Sequence, residues 1–291
     1  MPTIKKALIT GGSGFVGSHI VEELVKKNFK VIVLDIKKPK TKNVVFVKNK
    51  DFNLKSLKKI TKKVDYVFHL SGVSDVNKVK NNSIYTIENN ILNTTKLLEA
   101  CKNSNVKRFF FASSIYAYGN TGNLYTTSKI SSELIIKNFS LLYNLNYTIF
   151  RYSSIFGSRN RGVDVISIFV NRAIKNLDLI INGDGRQTRN FIDVRRVAKF
   201  SLLALKEKYK NKTLTIASKK GISMKNLAKK IIKFTRSNSK IRIFKKLKRF
   251  DDFDYKKISK SIKNNIYFFG INKNFDDDLK TFINRSKNYL N

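Results

Sequence analysis

The sequence predicts an α/β protein in which a doubly wound parallel sheet is joined to a smaller C-terminal lobe. Two observations predict this fold class. Short apolar runs alternate with amphipathic stretches through the first half of the chain, as expected for parallel strands covered by helices on both faces. After about Ser153 the alternation changes, and the final stretch is Lys-rich and mostly helical in pattern, which indicates a second lobe.

The predicted strands of the first half are short runs rich in Val, Ile, Leu and Phe, which suit a sheet buried on both faces. They are Ala7–Ile9, Val31–Leu34, Val44–Val47, Tyr66–Leu70, Arg108–Ala112 and Thr148–Tyr152. The predicted helices between them carry apolar residues at helical spacing. They are Ser18–Lys27, Leu54–Lys62, Asn89–Asn103 and Tyr125–Tyr143.

The second half predicts a less regular set of elements. In chain order they are a helix Val163–Lys175, a strand Leu179–Ile181, a turn at Gly183–Gly185, a stretch Arg189–Val197, a helix Val197–Lys208, a strand Leu214–Ala217 and a mostly helical end Ser223–Asn291. We expect one domain to comprise residues 1–152 plus about 191–220, and a second lobe to comprise 153–190 plus about 221–291. A ligand is expected in a crevice between them, beyond the carboxyl ends of the strands.

The segment Thr10–Gly17, Thr-Gly-Gly-Ser-Gly-Phe-Val-Gly, follows the first strand and opens the first helix. Gly11 permits a tight turn, Gly14 lets phosphates approach the backbone, and Gly17 lets the helix pack closely. Backbone N–H groups at a helix N-terminus can then hold a pyrophosphate. The residues predicted to line this dinucleotide site are Gly11, Gly14, Phe15, Val16 and Gly17.

Asp35 ends the second apolar run. A carboxylate at this position accepts hydrogen bonds from the adenosine ribose and repels a 2′-phosphate, so NAD is the predicted cofactor. Lys37 and Lys38 lie close enough in sequence to tolerate a phosphate, which leaves NADP as the alternative.

Tyr125 and Lys129 form a Tyr-x-x-x-Lys pattern at the start of a predicted helix, which places both side chains on one face. A lysine ammonium beside a phenol is expected to lower the pKa of Tyr125, so that it can exchange a proton while a nicotinamide exchanges hydride. Ser113 and Ser114 close the preceding strand. A hydroxyl there could bind the reacting oxygen, or could serve only as a cap or turn residue.

Several segments together resemble the extended short-chain dehydrogenase/reductases of the NAD-dependent epimerase/dehydratase family. Those segments are Thr10–Gly17, Val64–Leu70, Asn90–Cys101, Val106–Gly119, Tyr125–Glu133, Arg151–Gly157 and Asn182–Ala198. The resemblance implies a Rossmann domain that binds NAD, a C-terminal lobe that binds substrate, and catalysis by Ser114, Tyr125 and Lys129. It also implies a homodimer formed through the helices Asn89–Asn103 and Tyr125–Tyr143.

The resemblance assigns further residues to two groups. The additional cofactor contacts it implies are Asp51 at the adenine edge, Leu70, Ser71 and Gly72 after the fourth strand, Asn90, and Lys129 at the nicotinamide ribose. The substrate contacts it implies are Ser114, Tyr125, Ser154 and Arg189, the last two at a nucleotide diphosphate. His69 is interpreted as a residue packed beside the cofactor, in preference to a general base.

The sequence departs from the family pattern at several places. Ile115 and Tyr116 stand where the 4,6-dehydratases have an acidic pair, which disfavours dehydration and, more weakly, sugar-acid decarboxylation. The loop between Gly119 and Tyr125 is short, and Ser154 replaces a usual Asn. Arg195 and Arg196 replace a usual Asp pair, and we interpret that change as part of a general excess of basic residues.

The predicted function is an NAD-dependent nucleotide-sugar 4-epimerase acting through a transient 4-keto sugar. The first alternative is a nucleotide-sugar 4-ketoreductase that consumes NAD(P)H with the same three side chains. The second alternative is a non-catalytic NAD-binding or nucleic-acid-associated scaffold, suggested by the net charge of +39.

Composition adds limits to these predictions. Lys is spread along the whole chain among many Asn and Ile, which is typical of a protein from an AT-rich genome, so no specific nucleic-acid partner is predicted. Cys101 is the one cysteine, which excludes an internal disulfide and a thiolate metal cluster, and no metal site is predicted. With no long apolar run and no signal peptide, we expect no membrane span and a cytoplasmic protein.

Overall fold

The computed structural model describes residues 4–48, 52–119, 123–160, 164–218, 220–244 and 275–288. The chain forms two compact units. The first unit comprises the residues up to Tyr152 together with Ala198–Thr215. The second comprises Ser153–Val197 together with the residues from Ile216 onward, so the chain returns to the first unit later than residue 191.

The described residues contain thirteen strands, most of them short and apolar. They are β1 (Lys6–Thr10), β2 (Lys30–Asp35), β3 (Val44–Lys48), β4 (Tyr66–His69), β5 (Arg108–Ser114), β6 (Tyr147–Tyr152), β7 (Ser154–Phe156), β8 (Leu179–Asn182), β9 (Thr188–Arg189), β10 (Phe191–Asp193), β11 (Lys212–Ile216), β12 (Ile222–Ser223) and β13 (Ile241–Phe244).

Ten α-helices lie in the same ranges. They are α1 (Phe15–Lys26), α2 (Leu54–Thr61), α3 (Val76–Asn81), α4 (Ser83–Ile87), α5 (Asn93–Cys101), α6 (Leu124–Tyr143), α7 (Val165–Ile174), α8 (Val194–Leu203), α9 (Met224–Thr235) and α10 (Phe275–Asn288). A π-helical segment, Glu88–Leu92, joins α4 to α5. Single 3₁₀ turns are formed by Ile115–Tyr118 and Glu207–Tyr209.

The main sheet has seven strands in the order β11-β6-β5-β4-β1-β2-β3. The pairs among β1 to β6 are parallel. Helices lie between most successive strands, although β2 and β3 are joined by a loop, and the chain winds outward from β1 in both directions, which is the doubly wound order. The predicted α/β fold class is confirmed. Because parallel strands end at one edge, Thr10, Asp35, His69 and Ser114 close their strands on the same side of the sheet.

Aromatic side chains form a row across the buried sheet. The rings of Phe68 and Phe110 stack with centroids 4.3 Å apart, and the rings of Phe110 and Phe150 stack at 5.8 Å. All three side chains are fully buried. Leu57, Leu97, Phe109 and Ile149 belong to a second cluster of the first unit, into which α2 and α5 pack. The central strands are therefore apolar on both faces, as predicted.

The described part of the second unit contains three small sheets and three longer helices. β7 pairs with β10 and β8 with β13, both in parallel, while β9 pairs with β12 in antiparallel register. Apolar residues of α7, α9 and α10, such as Val170, Leu227 and Phe282, form its core around Phe156. The end predicted to be mostly helical, Ser223–Asn291, contains α9 and α10 but also β13, and β12 at its start was not predicted.

Two arginines of the second unit have specific partners. The Arg195 guanidinium binds the Asp193 carboxylate twice, with Nε–Oδ1 at 2.8 Å and Nη2–Oδ2 at 2.9 Å. The Arg196 guanidinium binds the Asp278 carboxylate of α10, with Nε–Oδ2 at 2.5 Å and Nη2–Oδ1 at 3.1 Å. The interpretation of this pair as mere basic drift is therefore wrong, because Arg196 ties the start of α8 to α10.

Element boundaries differ from the prediction at several helix ends. The helix predicted at Val197–Lys208 runs from Val194 to Leu203. The helix predicted from Val163 begins at Val165, because Asp164 caps it by accepting from the N–H groups of Ile166 and Ser167 at 3.0 and 3.1 Å. Within the described ranges, no helix is both long and apolar enough to cross a lipid bilayer.

Replacement of Phe110 tests the aromatic row. We expect Phe110→Ala to lower the free energy of unfolding by about 3–5 kcal/mol, because it removes a fully buried ring that stacks on both neighbours. Chemical denaturation of the purified variant measures this change. The control is Val45→Ala on β3, whose side chain is exposed, and its unfolding should change by about 0.5 kcal/mol or less. Equal effects of the two substitutions would contradict the prediction.

Candidate active site

The glycine turn after β1 has the geometry that only glycine permits. Gly11 has a φ of +70°, and a Cβ there would lie 2.7 Å from the backbone nitrogen of Ser71. A Cβ on Gly17 would overlap the carbonyl oxygen of Gly11. The turn is therefore packed against both the loop after β4 and the first turn of α1, as the sequence pattern predicted for Gly11 and Gly17.

The start of α1 is suited to an anionic ligand. Gly14 is its N-cap, no side chain caps the helix, and the first turn holds no acidic residue. A Cβ on Gly14 would meet only the carbonyl oxygen of Gly11, at 3.1 Å, so the space beside it is otherwise open. Phe15, Val16 and Gly17 form the first turn and direct their N–H groups toward the helix start. A pyrophosphate fits this position by charge and by room.

Asp35 at the end of β2 is joined to the glycine turn. Its Oδ2 accepts from the N–H of Ser13 at 2.9 Å, and its Oδ1 accepts from the N–H of Lys37 at 3.2 Å. The Ser13 hydroxyl in turn donates to the carbonyl of Lys37 at 2.6 Å. Each carboxylate oxygen keeps a further lone pair, so Asp35 can still accept from a ribose diol. Sequence reasoning missed Ser13, whose role depends on the fold of the turn.

A hydroxyl and imidazole cluster supports the loop after β4. Thr10 Oγ1 lies 2.7 Å from His69 Nδ1, and the Ser71 hydroxyl donates to Thr10 Oγ1 at 2.9 Å. His69 Nε2 lies 2.9 Å from the hydroxyl of Thr94. Burial lowers the pKa of His69 to about 3, with a smaller effect from the Lys129 charge. His69 is therefore a neutral, packed residue, in accord with the interpretation that it is not a base.

The predicted cofactor residues Leu70 and Gly72 lie on this same loop. The N–H of Leu70 donates to the carbonyl of Thr10 at 3.1 Å, which continues the β1–β4 pairing. Gly72 has a φ of +151°, and a Cβ there would lie 2.8 Å from Asn90 Oδ1 and 3.7 Å from Lys129 Nζ. Gly72 thus brings the loop close to two other predicted site residues.

Asn90 lies in the π-helical segment and holds the loop in place. Its Oδ1 accepts from the N–H of Val73 at 2.7 Å. Its Nδ2 donates to the Val73 carbonyl at 3.0 Å and to the Ser128 hydroxyl at 2.9 Å. Both amide donors are thus used within the protein, and a direct contact of Asn90 with cofactor stays a prediction. π-Helical segments are frequent at functional sites.

Ser114, Tyr125 and Lys129 meet where β5 ends beside the start of α6. The Ser114 hydroxyl lies close enough to Tyr125 to lower the pKa of its phenol, and the Lys129 ammonium lies 5.8 Å from the centroid of the Tyr125 ring. Lys129 Nζ donates to the carbonyl of Ala112 at 2.8 Å. The four-residue spacing on α6 thus places both side chains against the end of β5.

The pKa of Tyr125 differs from the sequence expectation. Burial raises the pKa of this phenol to about 12, and the hydrogen bond from Ser114 lowers it only in part. Tyr116, whose ring packs edge-on to Tyr125 at 6.4 Å, raises it further. The expectation that Lys129 lowers the Tyr125 pKa below its ordinary value is therefore wrong for the protein alone, because loss of water around the phenolate has the larger effect.

The remaining predicted site residues lie elsewhere. Ser154 opens β7 and Arg189 ends β9, so both belong to the second unit and both are partly buried. Among the described residues, the Arg189 guanidinium has no recorded ion-pair partner. Asp51, predicted at the adenine edge, lies outside the described residues.

The chain is similar to known proteins over most of its length. Residues 7–217 match the model of the NAD dependent epimerase/dehydratase family. The chain belongs to this family. The match runs from β1 to the end of β11, so it spans the strands of the seven-stranded sheet.

Relatives in the family carry different activities in their names. A Methanocaldococcus jannaschii protein named "Putative UDP-glucose 4-epimerase" is 37% identical over 76% of this chain and 79% of its own length. A UDP-N-acetyl-alpha-D-glucosaminuronate decarboxylase of Bacillus cytotoxicus is 33% identical over 81% of this chain and 82% of its own length. The solved UDP-glucose 4-epimerase of Thermotoga maritima, with UDP-glucose, is 26% identical, with a TM-score of 0.86 over 98% of this chain and all of that one.

The family is NAD-dependent by its description, and the residues of the first unit fit that cofactor. The open space at Gly14 and the uncapped start of α1 suit its pyrophosphate. Asp35 suits a free ribose diol, and Lys129 would lie at the nicotinamide ribose. NAD supplies a hydride acceptor and donor when it is bound.

Replacement of Asp35 by Asn tests the ribose assignment. We expect Asp35→Asn to weaken NAD binding about 10- to 100-fold, because hydrogen bonds to a charged group contribute about 1.5–3 kcal/mol. NADP binding should weaken less, because the repulsion of a 2′-phosphate is also removed. Titration calorimetry with both nucleotides measures the ratio. Asp65→Asn at the other edge of the sheet is the control, and an unchanged NAD-to-NADP ratio in Asp35→Asn would refute the assignment.

Proposed function

We propose that this protein is an NAD-dependent nucleotide-sugar 4-epimerase that acts through a transient 4-keto sugar. The observation that carries the proposal is the meeting of Ser114, Tyr125 and Lys129 at the end of β5, in the same unit as the glycine turn and Asp35. A pure binding module has no need of that set. The archaeal relative named for UDP-glucose 4-epimerase supports the choice of reaction.

The proposed reaction assigns a separate task to each side chain. Tyr125 accepts the proton of the sugar 4-hydroxyl as the carbon loses hydride, and returns a proton when hydride is added to the other face. Ser114, whose hydroxyl lies beside the Tyr125 phenol, holds the sugar oxygen through both steps. Lys129 holds a positive charge beside the phenol ring, at 5.8 Å. To accept the sugar proton, Tyr125 must first lose its own, and because burial raises the pKa of its phenol to about 12, positive charge close to it is required to favour the phenolate.

The proposed substrate is a nucleotide diphosphate sugar. Arg189 carries a charge that is not neutralised among the described residues, which suits it to a phosphate of the substrate. Ser154 is proposed as a weaker hydrogen-bond donor to the same diphosphate. The solved relative that holds UDP-glucose supports uridine nucleotides as the first class to test.

A 4-ketoreductase is the second candidate, because it would use the same three side chains. The decarboxylase among the relatives makes a sugar-acid substrate a third possibility to test. Ile115 and Tyr116 after Ser114 carry no carboxylate, which argues against the 4,6-dehydratase reaction. The non-catalytic scaffold is disfavoured by the buried Lys129 and by its position beside the Tyr125 ring, which a binding module would not require.

Product analysis separates these candidates. The purified protein with NAD is incubated with UDP-hexoses, their N-acetyl forms and UDP-hexuronic acids, and the products are resolved by proton NMR while reduced nicotinamide is followed by absorbance. An epimerase interconverts the 4-epimers with no net change in absorbance. Oxidation of one NAD(P)H per turnover with a 4-keto sugar would identify a reductase, and release of CO₂ would identify a decarboxylase. No reaction with any of these sugars would refute the proposal.

Tyr125→Phe tests the proton-transfer role. We expect turnover to fall by about 10²–10⁴-fold, the usual contribution of a general acid–base group. NAD affinity should be unchanged, because the phenol oxygen is not needed to bind the nucleotide. Tyr66→Phe at the amino end of β4 is the matched control and should keep full activity. Turnover by Tyr125→Phe at the rate of the unchanged protein would remove Tyr125 from the mechanism.

We also propose a homodimer formed through the helices that pack beside the site. Leu92 of the π-helical segment and Leu134, Leu141 and Leu142 of α6 expose apolar side chains, with Leu141 80% exposed. Ile84 on α4 is exposed as well, at 71%, and α4 packs against α6. A set of large exposed apolar residues on adjacent helices is typical of a surface that another protein covers.

A charge on these helices should separate the subunits. We expect Leu92→Glu/Leu134→Glu to sediment as a monomer at concentrations where the unchanged protein sediments as a dimer, because association would bury two carboxylates in an apolar contact. Analytical ultracentrifugation measures the two species. Val45→Glu, at an equally exposed apolar position on β3, is the control and should stay dimeric. A monomeric unchanged protein would refute the homodimer.

A further inference from the structure

We propose that Glu133 is a positioning residue of the active site, which fixes the end of β5 against α6 and supports the positive charge of Lys129. The proposal rests on the function proposed above. No sequence pattern predicted a role for Glu133, and the proposed epimerase reaction does not use its carboxylate directly. Its place one helical turn beyond Lys129 is what connects it to the site.

Three successive turns of α6 hold three successive residues of β5. Tyr125 lies beside the Ser114 hydroxyl, and Lys129 Nζ donates to the Ala112 carbonyl at 2.8 Å. The hydroxyl of Ser113 donates to Glu133 Oε1 at 2.5 Å. The spacing of four residues keeps all three α6 side chains on one face. The contact of Glu133 with Ser113 therefore fixes the backbone between the two β5 residues that the reacting side chains use.

Arg151 on β6 completes this arrangement from the other side. Its Nε and Nη2 donate to the two oxygens of Glu133 at 2.9 and 2.6 Å. Its guanidinium lies 4.2 Å from the centroid of the Tyr118 ring, in the 3₁₀ turn that follows Ser114. The Tyr118 hydroxyl lies 2.5 Å from Thr215 Oγ1 on β11. One buried carboxylate thus joins β5 and α6 to β6, and through Arg151 to the turn after Ser114.

The same carboxylate acts on Lys129 by its charge. Burial lowers the pKa of Lys129 to about 8, and the Glu133 carboxylate opposes this by raising it. The other titratable groups near Lys129 are the neutral His69 on β4 and the Tyr125 phenol on α6, while Arg151 on β6 is paired with Glu133. A pKa of about 8 lies close to physiological pH, so the Glu133 charge, and Arg151 through its pairing with Glu133, should set the pH at which Lys129 loses its proton.

Opposite charge changes should move the pH profile in opposite directions. Glu133→Gln removes a negative charge, so the pKa of Lys129 falls and activity is lost at lower pH, by about one pH unit. Arg151→Gln leaves the Glu133 charge without its positive partner, so the alkaline loss of activity moves to higher pH. Ser113→Ala keeps both charges and should lower kcat with no shift of the profile and little change in KM.

A second readout does not depend on turnover. NAD affinity is measured by calorimetry across pH 6–10 for the same variants, because Lys129 is assigned to the nicotinamide ribose and its charge should govern binding there. The pH at which NAD affinity falls should shift in the same two directions. If the unchanged protein binds NAD but converts no sugar, the proposed function fails while this measurement still tests Glu133.

The variants also lose a buried ion pair, so stability is recorded alongside. Glu133→Gln leaves Arg151 without a counter-ion, and the double variant Glu133→Gln/Arg151→Gln should recover thermal stability because neither charge then remains unpaired. Loss of stability alone would reduce activity at every pH and shift neither profile. Shifts of Glu133→Gln and Arg151→Gln in the same direction, or no shift in either, would overturn the proposal.

Discussion

Lys129 lies where a charged ammonium group is costly, and the candidate site is built around the need to keep it charged. Its side chain is buried, and burial alone would favour the neutral amine. Three groups oppose this. The Ala112 carbonyl accepts its hydrogen bond at 2.8 Å, the Phe111 ring lies 4.8 Å away, and the Glu133 carboxylate supplies a negative charge. Two of the three groups belong to β5. The position of α6 along that strand therefore determines whether Lys129 stays protonated. The contact between Tyr125 and Ser114 depends on the same alignment, because Tyr125 lies on α6 and Ser114 on β5.

At the glycine turn after β1, the structure depends on the close approach of backbone segments and not on charge. Gly11 and Gly17 let the turn after β1 contact the loop after β4 and the first turn of α1 at distances that a Cβ would prevent. Thr10 then links the two loops through His69 and Ser71. These contacts leave the start of α1 uncapped and open at Gly14, and Asp35 is held beside it by Ser13. The two ends are joined by Asn90, which binds the loop after β4 and also Ser128 on α6. One buried amide thus holds the loop after β4 against α6.

The parts of this arrangement that could be predicted from sequence are those encoded locally. The alternation of strands and helices, the glycine turn, Asp35 at a strand end and the Tyr125–Lys129 spacing each lie within a short window, and the structure places them as expected. Partners distant in sequence could not be found in this way. Arg151 and Glu133 are 18 residues apart and Arg196 and Asp278 are 82 apart, and no periodic pattern links the members of either pair. The prediction of a lowered pKa for Tyr125 was wrong for a related reason. A lysine four residues away is visible in the sequence, whereas the burial that dominates the pKa depends on how distant parts of the chain pack around the phenol.

The excess of basic residues gives the few acidic ones particular weight. With 59 Lys and Arg against 20 Asp and Glu, most positive charges have no carboxylate to pair with and must be solvated. A carboxylate that lies buried beside an arginine is therefore held by its position in the fold, since exposed lysines are available all along the chain. Glu133 with Arg151, and Asp193 with Arg195, are of this kind, because each carboxylate is almost fully buried and is bound by both arms of a guanidinium. Arginine suits such positions better than lysine, because its planar fork satisfies both oxygens at once. In this chain the buried carboxylates, and not the abundant exposed lysines, form the ion pairs that hold elements of the fold together.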